Sequence, residues 1–264
     1  MFDVRAIGVF DSGLGGLTIL RELRSRFPNE DFVYLGDVAR LPYGTKSAAV
    51  VTQYALSCAG FLVGHEVKAI VVACNTATAV ALPTLRQEFS IPVVGVIESG
   101  VSAALERTHS HACLVCATES TVQSEAYVRE FQRQSPRTRV YQKAMGLLVP
   151  LVECGWNEHP VTETIISTYL AECRGFEFDT VVLGCTHYPL LAPLFSKLLR
   201  GVSIVDSSHG VGKALDRILI EAGLKNSPTH LGEARAFSTD RVAASPMVKS
   251  LFGCPQEFSV IDLP

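Results

Sequence analysis

Two short runs of β-branched and apolar residues constrain the fold more than any other feature of this chain. They are Ala69-Ile-Val-Val-Ala-Cys-Asn-Thr-Ala-Thr-Ala79 and Asp179-Thr-Val-Val-Leu-Gly-Cys-Thr-His-Tyr-Pro-Leu-Leu191. Neither alternates polar with apolar residues before its cysteine, so each reads as a strand buried on both faces, the pattern of parallel sheets covered by helices. Each run ends at one cysteine followed by residues able to start a helix. Cys74 and Cys185 are therefore expected at the carboxyl ends of two buried parallel strands, the place where open α/β sheets bind ligands.

The rest of the chain keeps the same rhythm. Strand-like runs at 4–10, 32–35, 68–73 and 92–96 alternate with helical runs at 16–27, 47–65 and from 74 to about 89, with Ser47 placed to cap the second helix. After Glu98 the order restarts: helix to about 107, strand 111–117, helix through 133, strand near 140, helix 160–173, strand 180–184, helix 189–199, strand 202–205. The tail predicts a helix over about 210–222, a polar segment at 226–230 and a last strand at 258–261. This βαβα order predicts an α/β fold of mainly parallel sheets flanked by helices.

The two halves resemble copies of one unit. Ile7-Gly-Val-Phe-Asp-Ser-Gly13 and Leu114-Val-Cys-Ala-Thr-Glu-Ser120 both run from a strand into a small or polar turn. Two loops follow, Arg40-Leu-Pro-Tyr-Gly-Thr45 and Leu151-Val-Glu-Cys-Gly155, and then the two cysteine strands. From Asp11 the offsets to Tyr43 and Cys74 are 32 and 63; from Thr118 those to Glu153 and Cys185 are 35 and 67. A pseudo-twofold axis between such halves would bring the cysteines to face each other across a shared cleft.

A length of 264 residues suits one large or two modest domains. The net charge of −3 offers no basic face for nucleic acid or anionic lipid. Residues 1–10 pass into a strand without a secretory pattern, and no stretch approaches the roughly 18 apolar residues of a membrane span, so a soluble cytoplasmic protein is expected. The eight cysteines fall mostly within apolar strand or helix patterns, which predicts reduced thiols.

Cys74 and Cys185 stand apart from the other six through their strand-end position and polar neighbours, Asn75-Thr76 and Thr186-His187. Helix-start N–H groups and a nearby histidine are expected to lower a thiol's pKa. Two acid/base groups on opposite sides of one carbon suit stereochemical inversion: one thiolate removes a Cα proton, and the opposite thiol delivers one to the other face. Such a site must exclude water and place donors where negative charge builds up. The turn after Asp11-Ser12, the Tyr43-Gly44 loop and the starts of both cysteine helices are candidates for carboxylate binding.

A redox pairing of Cys74 with Cys185 competes, although dithiol enzymes usually carry Cys-x-x-Cys. That pattern occurs only at Cys113-Leu-Val-Cys116, inside an apolar strand, where it reads as core. A zinc cluster with His109 and His111 is disfavoured because alternation along the strand points the side chains to opposite faces. Gly13-Leu-Gly-Gly16 has Thr18 where a dinucleotide fingerprint needs its third glycine, and Gly210-Val-Gly-Lys213 has Ser207 in place of the first glycine of a phosphate loop. No cofactor and no metal are implied.

Asp11-Ser-Gly, Pro42-Tyr-Gly44, Cys74-Asn-Thr76 and Gly184-Cys-Thr-His187, in this order, resemble the glutamate racemase family, over about residues 7–206. The resemblance implies interconversion of L- and D-glutamate without a cofactor, with Cys74 taking the proton from D-glutamate and Cys185 from L-glutamate. It implies auxiliary acid/base roles for Asp11, Glu153 and His187. Substrate contacts are implied for Ser12, Tyr43, Gly44, Asn75, Thr76, Thr118, Thr121 and Thr186, and for Asp11 and His187 as well. It further implies two similar α/β domains with the active site in the cleft between them, 1–97 plus 208–264 carrying Asp11 and Cys74, and 98–207 carrying Glu153 and Cys185. A homodimer and a role in supplying D-glutamate for peptidoglycan follow from the same likeness. Ser120 departs from the family's usual glycine before Thr121. The alternatives are an aspartate or hydantoin racemase of the same superfamily, or a non-catalytic module binding an acidic amino acid.

Overall fold

The computed structural model describes residues 2–242, Val248 and residues 257–263. In chain order, β1 (Ile7–Asp11), α1 (Leu17–Arg26), β2 (Phe32–Gly36), α2 (Ala48–Gly64), β3 (Ala69–Val72), α3 (Asn75–Glu88) and β4 (Val93–Gly95) form the first half. Next come α4 (Val96–Leu105), β5 (Ala112–Ala117), α5 (Glu119–Gln123), α6 (Ala126–Gln134), β6 (Arg139–Ala144), α7 (Leu148–Glu153), α8 (Pro160–Ala171), β7 (Thr180–Gly184), α9 (Ala192–Leu198) and β8 (Ser203–Asp206). The chain then returns through α10 (Ser208–Glu221) to β9 (Ala234–Ser238) and β10 (Ser259–Val260).

One sheet has the order β10-β9-β2-β1-β3-β4 and the other β6-β5-β7-β8, every pairing parallel. If β5–β8 are set against β1–β4, both sheets share the order 2-1-3-4. The pairings Ile7↔Ala69 and Cys113↔Thr180 put β3 and β7 at equivalent places, so Cys74 and Cys185 emerge from corresponding strands. This is the internal repeat seen in the sequence.

Both faces of β1–β5 and β7 are buried, as uninterrupted apolar strands require, while β6, β8, β9 and β10 are partly exposed. Ile7, Val9 and Val71 join a core with Leu17, Leu20 and Leu23 of α1 and Leu215 of α10 that continues through Leu114, Cys116 and Leu183 of the second sheet. Val33, Ile70 and Val72 face the other way, onto Val51 and Leu62 of α2 and Leu85 of α3. Cys113, Val115 and Val182 meet Val101 of α4 and Tyr127 and Phe131 of α6. Each fully buried side chain of this size stabilises by about 1.5–3 kcal/mol. Helices α4 and α10 carry the chain between the sheets and pack together at Gly210, where a Cβ would lie 2.6 Å from the Ser99 carbonyl oxygen.

Several expectations are corrected. The segment 151–155, expected as a loop, mostly belongs to helix α7; Pro150 is its third residue, where the missing N–H has no helical acceptor to lose. The helix expected through Arg133 breaks into α5 and α6 around Glu125, whose φ of 53° is left-handed. Strand β9 was not foreseen, and it lies between β2 and the foreseen last strand. No helix among the described residues is long and apolar enough to cross a membrane. The seven described cysteines are free thiols; the eighth, at 254, lies outside the described residues.

Candidate active site

Cys74 is the N-cap of α3, its sulfur accepting from Ala77 N at 3.4 Å. Its thiol also donates to Ser12 Oγ at 3.5 Å. Cys185 follows β7, but the expected helix start behind it is a 3-10 turn at Tyr188–Leu191 leading into α9, so only Cys74 caps an α-helix. The Tyr188 hydroxyl donates to Met145 O at 2.8 Å and pins this turn to the second sheet's core.

Cys74 and Cys185 both line one small cavity of about 20 Å³. Its walls from the first half are Ser12, Tyr43, Gly44, Asn75 and Thr76; from the second come Thr118, Thr186 and His187. Asp11, Glu153 and Thr121 stand one bond behind this lining. Thr186 Oγ1 donates to Asp11 Oδ1 at 3.3 Å, His187 Nε2 lies 2.5 Å from Glu153 Oε1, and Thr121 Oγ1 lies 3.0 Å from Thr118 Oγ1. The Thr76 and Thr118 hydroxyls meet at 3.0 Å, joining the halves. All the residues expected at the site therefore gather in one place.

Close approach depends on glycines. A Cβ at Gly44 would sit 2.6 Å from Thr118 Cβ, and one at Gly16 would sit 2.5 Å from Asp11 Cβ. Tyr43 is buried, and its hydroxyl donates to Asp37 Oδ2, so its ring is a wall and its proton is already engaged. Ser120 is buried in the first turn of α5, and Thr118 Oγ1 still accepts from Thr121 N at 3.4 Å, so the serine leaves the capped turn intact. Leu41, Val149, Asp37 and Tyr127 were not singled out in the sequence. Leu41 and Val149 are apolar lining; Asp37 acts through a hydrogen bond from Tyr43, six residues on, and Tyr127 through a long-range one to Asn75, and neither leaves a periodic signal.

The expected lowering of the thiol pKa does not hold for Cys74. Burial, reinforced by the negative charge of Asp11, pushes it up to about 12 against the pull of Ala77 N–H and Ser12. Burial likewise raises Asp11, opposed by the His187 charge and the Gly16 and Gly13 N–H groups. Burial alone would lower His187, but Cys185 Sγ, 3.8 Å from Nδ1, and the Glu153 carboxylate outweigh it and hold the imidazole at about 10. At neutral pH His187 is thus a cation beside Cys185. Cys113 and Cys116 point into different cores, and among the described residues no group of three His, Cys, Asp or Glu side chains could hold a metal ion.

A profile of the Asp/Glu/hydantoin racemases matches residues 17–209. The chain belongs to that family. A glutamate racemase of Neisseria gonorrhoeae is 45% identical over 237 residues, 89% of this chain and 88% of its own. Among solved structures, a Bacillus anthracis glutamate racemase superposes with a TM-score of 0.93 at 33% identity, covering 98% of each chain. A Francisella tularensis glutamate racemase, crystallised with D-glutamate, gives 0.91 at 36% identity, again over 98% of each chain. This racemase is accordingly an amino-acid isomerase, and its cavity offers what inversion needs: two thiols, hydroxyl and amide donors between them, and charged groups placed just behind.

Proposed function

We propose that this chain interconverts L- and D-glutamate without a cofactor. Cys74 removes the Cα proton of D-glutamate and Cys185 that of L-glutamate, while the opposite thiol returns a proton to the other face. The observation that carries this reading is that two free thiols from corresponding strands of different sheets open onto one cavity. Cys74, held as a thiol by burial, is suited to proton donation, and the His187 cation offsets negative charge on Cys185 when that sulfur acts as base. Ser12, Asn75, Thr76, Thr118, Thr186 and the amino end of α3 supply donors for the substrate carboxylates and for the charge that develops at Cα. Asp11, Glu153 and Thr121 orient that lining. Gly44 and Tyr43 close it.

The same reading takes 1–97 with 208–264 as one domain and 98–207 as the other, the site lying in the cleft between them. It takes the protein as a cytoplasmic homodimer providing D-glutamate for peptidoglycan. Chiral chromatography after incubation with L-glutamate or L-aspartate tests the substrate. Glutamate should proceed to an equal mixture of enantiomers while aspartate stays unchanged. No D-glutamate, or faster conversion of aspartate, overturns the assignment.

A further inference from the structure

The geometry points to Tyr127 as a positioning residue that orients the Asn75 side-chain amide so that its NH2 group faces the reacting centre; this rests on the racemase reading of the cavity. Asn75 is the first residue of α3, is 2% exposed, and lines the cavity beside Cys74. Its Oδ1 accepts a 2.7 Å hydrogen bond from the Tyr127 hydroxyl, while its Nδ2 is buried without a hydrogen-bond partner among the described residues. An amide N–H is rarely left buried and unpaired. In this wall the group that can satisfy it is an acceptor brought by the ligand, and a substrate carboxylate supplies one.

The phenol decides which end of the amide looks inward. Tyr127 is fully buried on α6 in an apolar cluster with Val101, Val115 and Val182. Among the described residues its hydroxyl has Asn75 as its one acceptor. With the phenol donating, its proton and Asn75 Oδ1 are both satisfied. The reverse orientation would orphan the phenol proton and turn carbonyl lone pairs toward an anionic substrate. Burial also raises the phenol's pKa, so it remains a donor at neutral pH. Room for the ring is built in: a Cβ at Gly184 would lie 3.1 Å from Tyr127 Cε2 and one at Gly100 would lie 3.3 Å from its hydroxyl. Because α6 belongs to the second half and α3 to the first, the bond also ties this donor to the closed arrangement of the halves.

The test compares Tyr127→Phe, Asn75→Ala and the double variant with wild type, using both glutamate enantiomers. Tyr127→Phe keeps the ring and frees the amide to rotate; KM should rise about tenfold in both directions, with kcat falling less. The double variant should match Asn75→Ala within twofold, since the hydroxyl acts only through the amide. A KM within twofold of wild type for Tyr127→Phe, or losses that multiply in the double variant, overturns the assignment. In the wild-type protein, the Asn75 NH2 resonances, identified by their contacts to the Tyr127 ring, should move on saturation with D-glutamate. Unmoved resonances overturn it even where a variant fails to fold. A wild-type protein that does not racemise glutamate strikes the reading of the cavity instead, and the wild-type control separates the two failures.

Discussion

Gly15 comes so close to the second half that no side chain fits. A Cβ there would lie 2.4 Å from Thr186 Oγ1 and 2.7 and 2.8 Å from His187 Nδ1 and Cε1. Unstrained contacts lie near 3.5–4.0 Å, so Gly15→Ala demands a displacement of about 1 Å. Neither neighbour can give freely, because Thr186 is bonded to Asp11 and His187 to Glu153. Overpacking of this kind costs about 1–3 kcal/mol. At about 2–4 °C per kcal/mol for a chain of this size, Tm should fall by roughly 2–12 °C. A misplacement of about 1 Å also costs on the order of 100-fold in rate. Initial rates by chiral chromatography and Tm by circular dichroism read both effects. Gly60→Ala is the control: nothing lies within 4 Å of its Cβ, and it sits on the exposed side of α2. That change should stabilise by about 0.5–1 kcal/mol and leave the rate unaltered. A Gly15→Ala protein racemising within threefold of wild type would refute the reasoning.

Glu153→Gln removes one of the two groups that hold His187 at about 10, so the alkaline limb of kcat/KM should move to lower pH. Because the enantiomers have equal energy, the shift should be the same from L- and D-glutamate; an unmoved limb counts against this coupling. Lys68→Met leaves Glu30 buried opposite an apolar group in place of its 2.5 Å ion pair, and should destabilise by about 3–5 kcal/mol in a denaturant titration. Asp179, despite the opposing effect of burial, is held below the usual carboxylate range by the Thr108 hydroxyl, the Ser110 and His109 N–H groups and the Thr180 hydroxyl. Its stabilisation is present above the unfolded pKa of about 3.9 and lost as pH falls below it, so the Tm deficit of Asp179→Ala should shrink in acid.

The sequence made the buried parallel strands legible because burial on both faces leaves an uninterrupted apolar run; β7 matches its expected span of 180–184 residue for residue. The cap at Ser47, accepting from Val50 N, was equally plain, since capping chemistry is local. Strand β9, Ala-Arg-Ala-Phe-Ser, was missed: five residues with a charge inside carry little pattern, and its pairing with β2 is decided some 200 residues away. Helix α7 was hidden by Pro150 and by being only six residues long. The cysteines could be placed at strand ends, but the sign of the Cys74 shift could not. It depends on how completely the two halves close over the sulfur, and on Asp11 arriving from β1. Tyr127 illustrates the same limit, being an apolar-face residue of α6 in sequence and a partner of Asn75 only in three dimensions.

The central claim, that separate bases serve the two faces of Cα, is tested most directly by racemising L-glutamate in deuterium oxide and analysing each enantiomer by mass spectrometry at low conversion. The two-thiol arrangement predicts D-glutamate carrying solvent deuterium from the outset while the remaining L-glutamate stays protiated. D-glutamate that keeps the substrate's own hydrogen, or equal early labelling of both enantiomers, would contradict it.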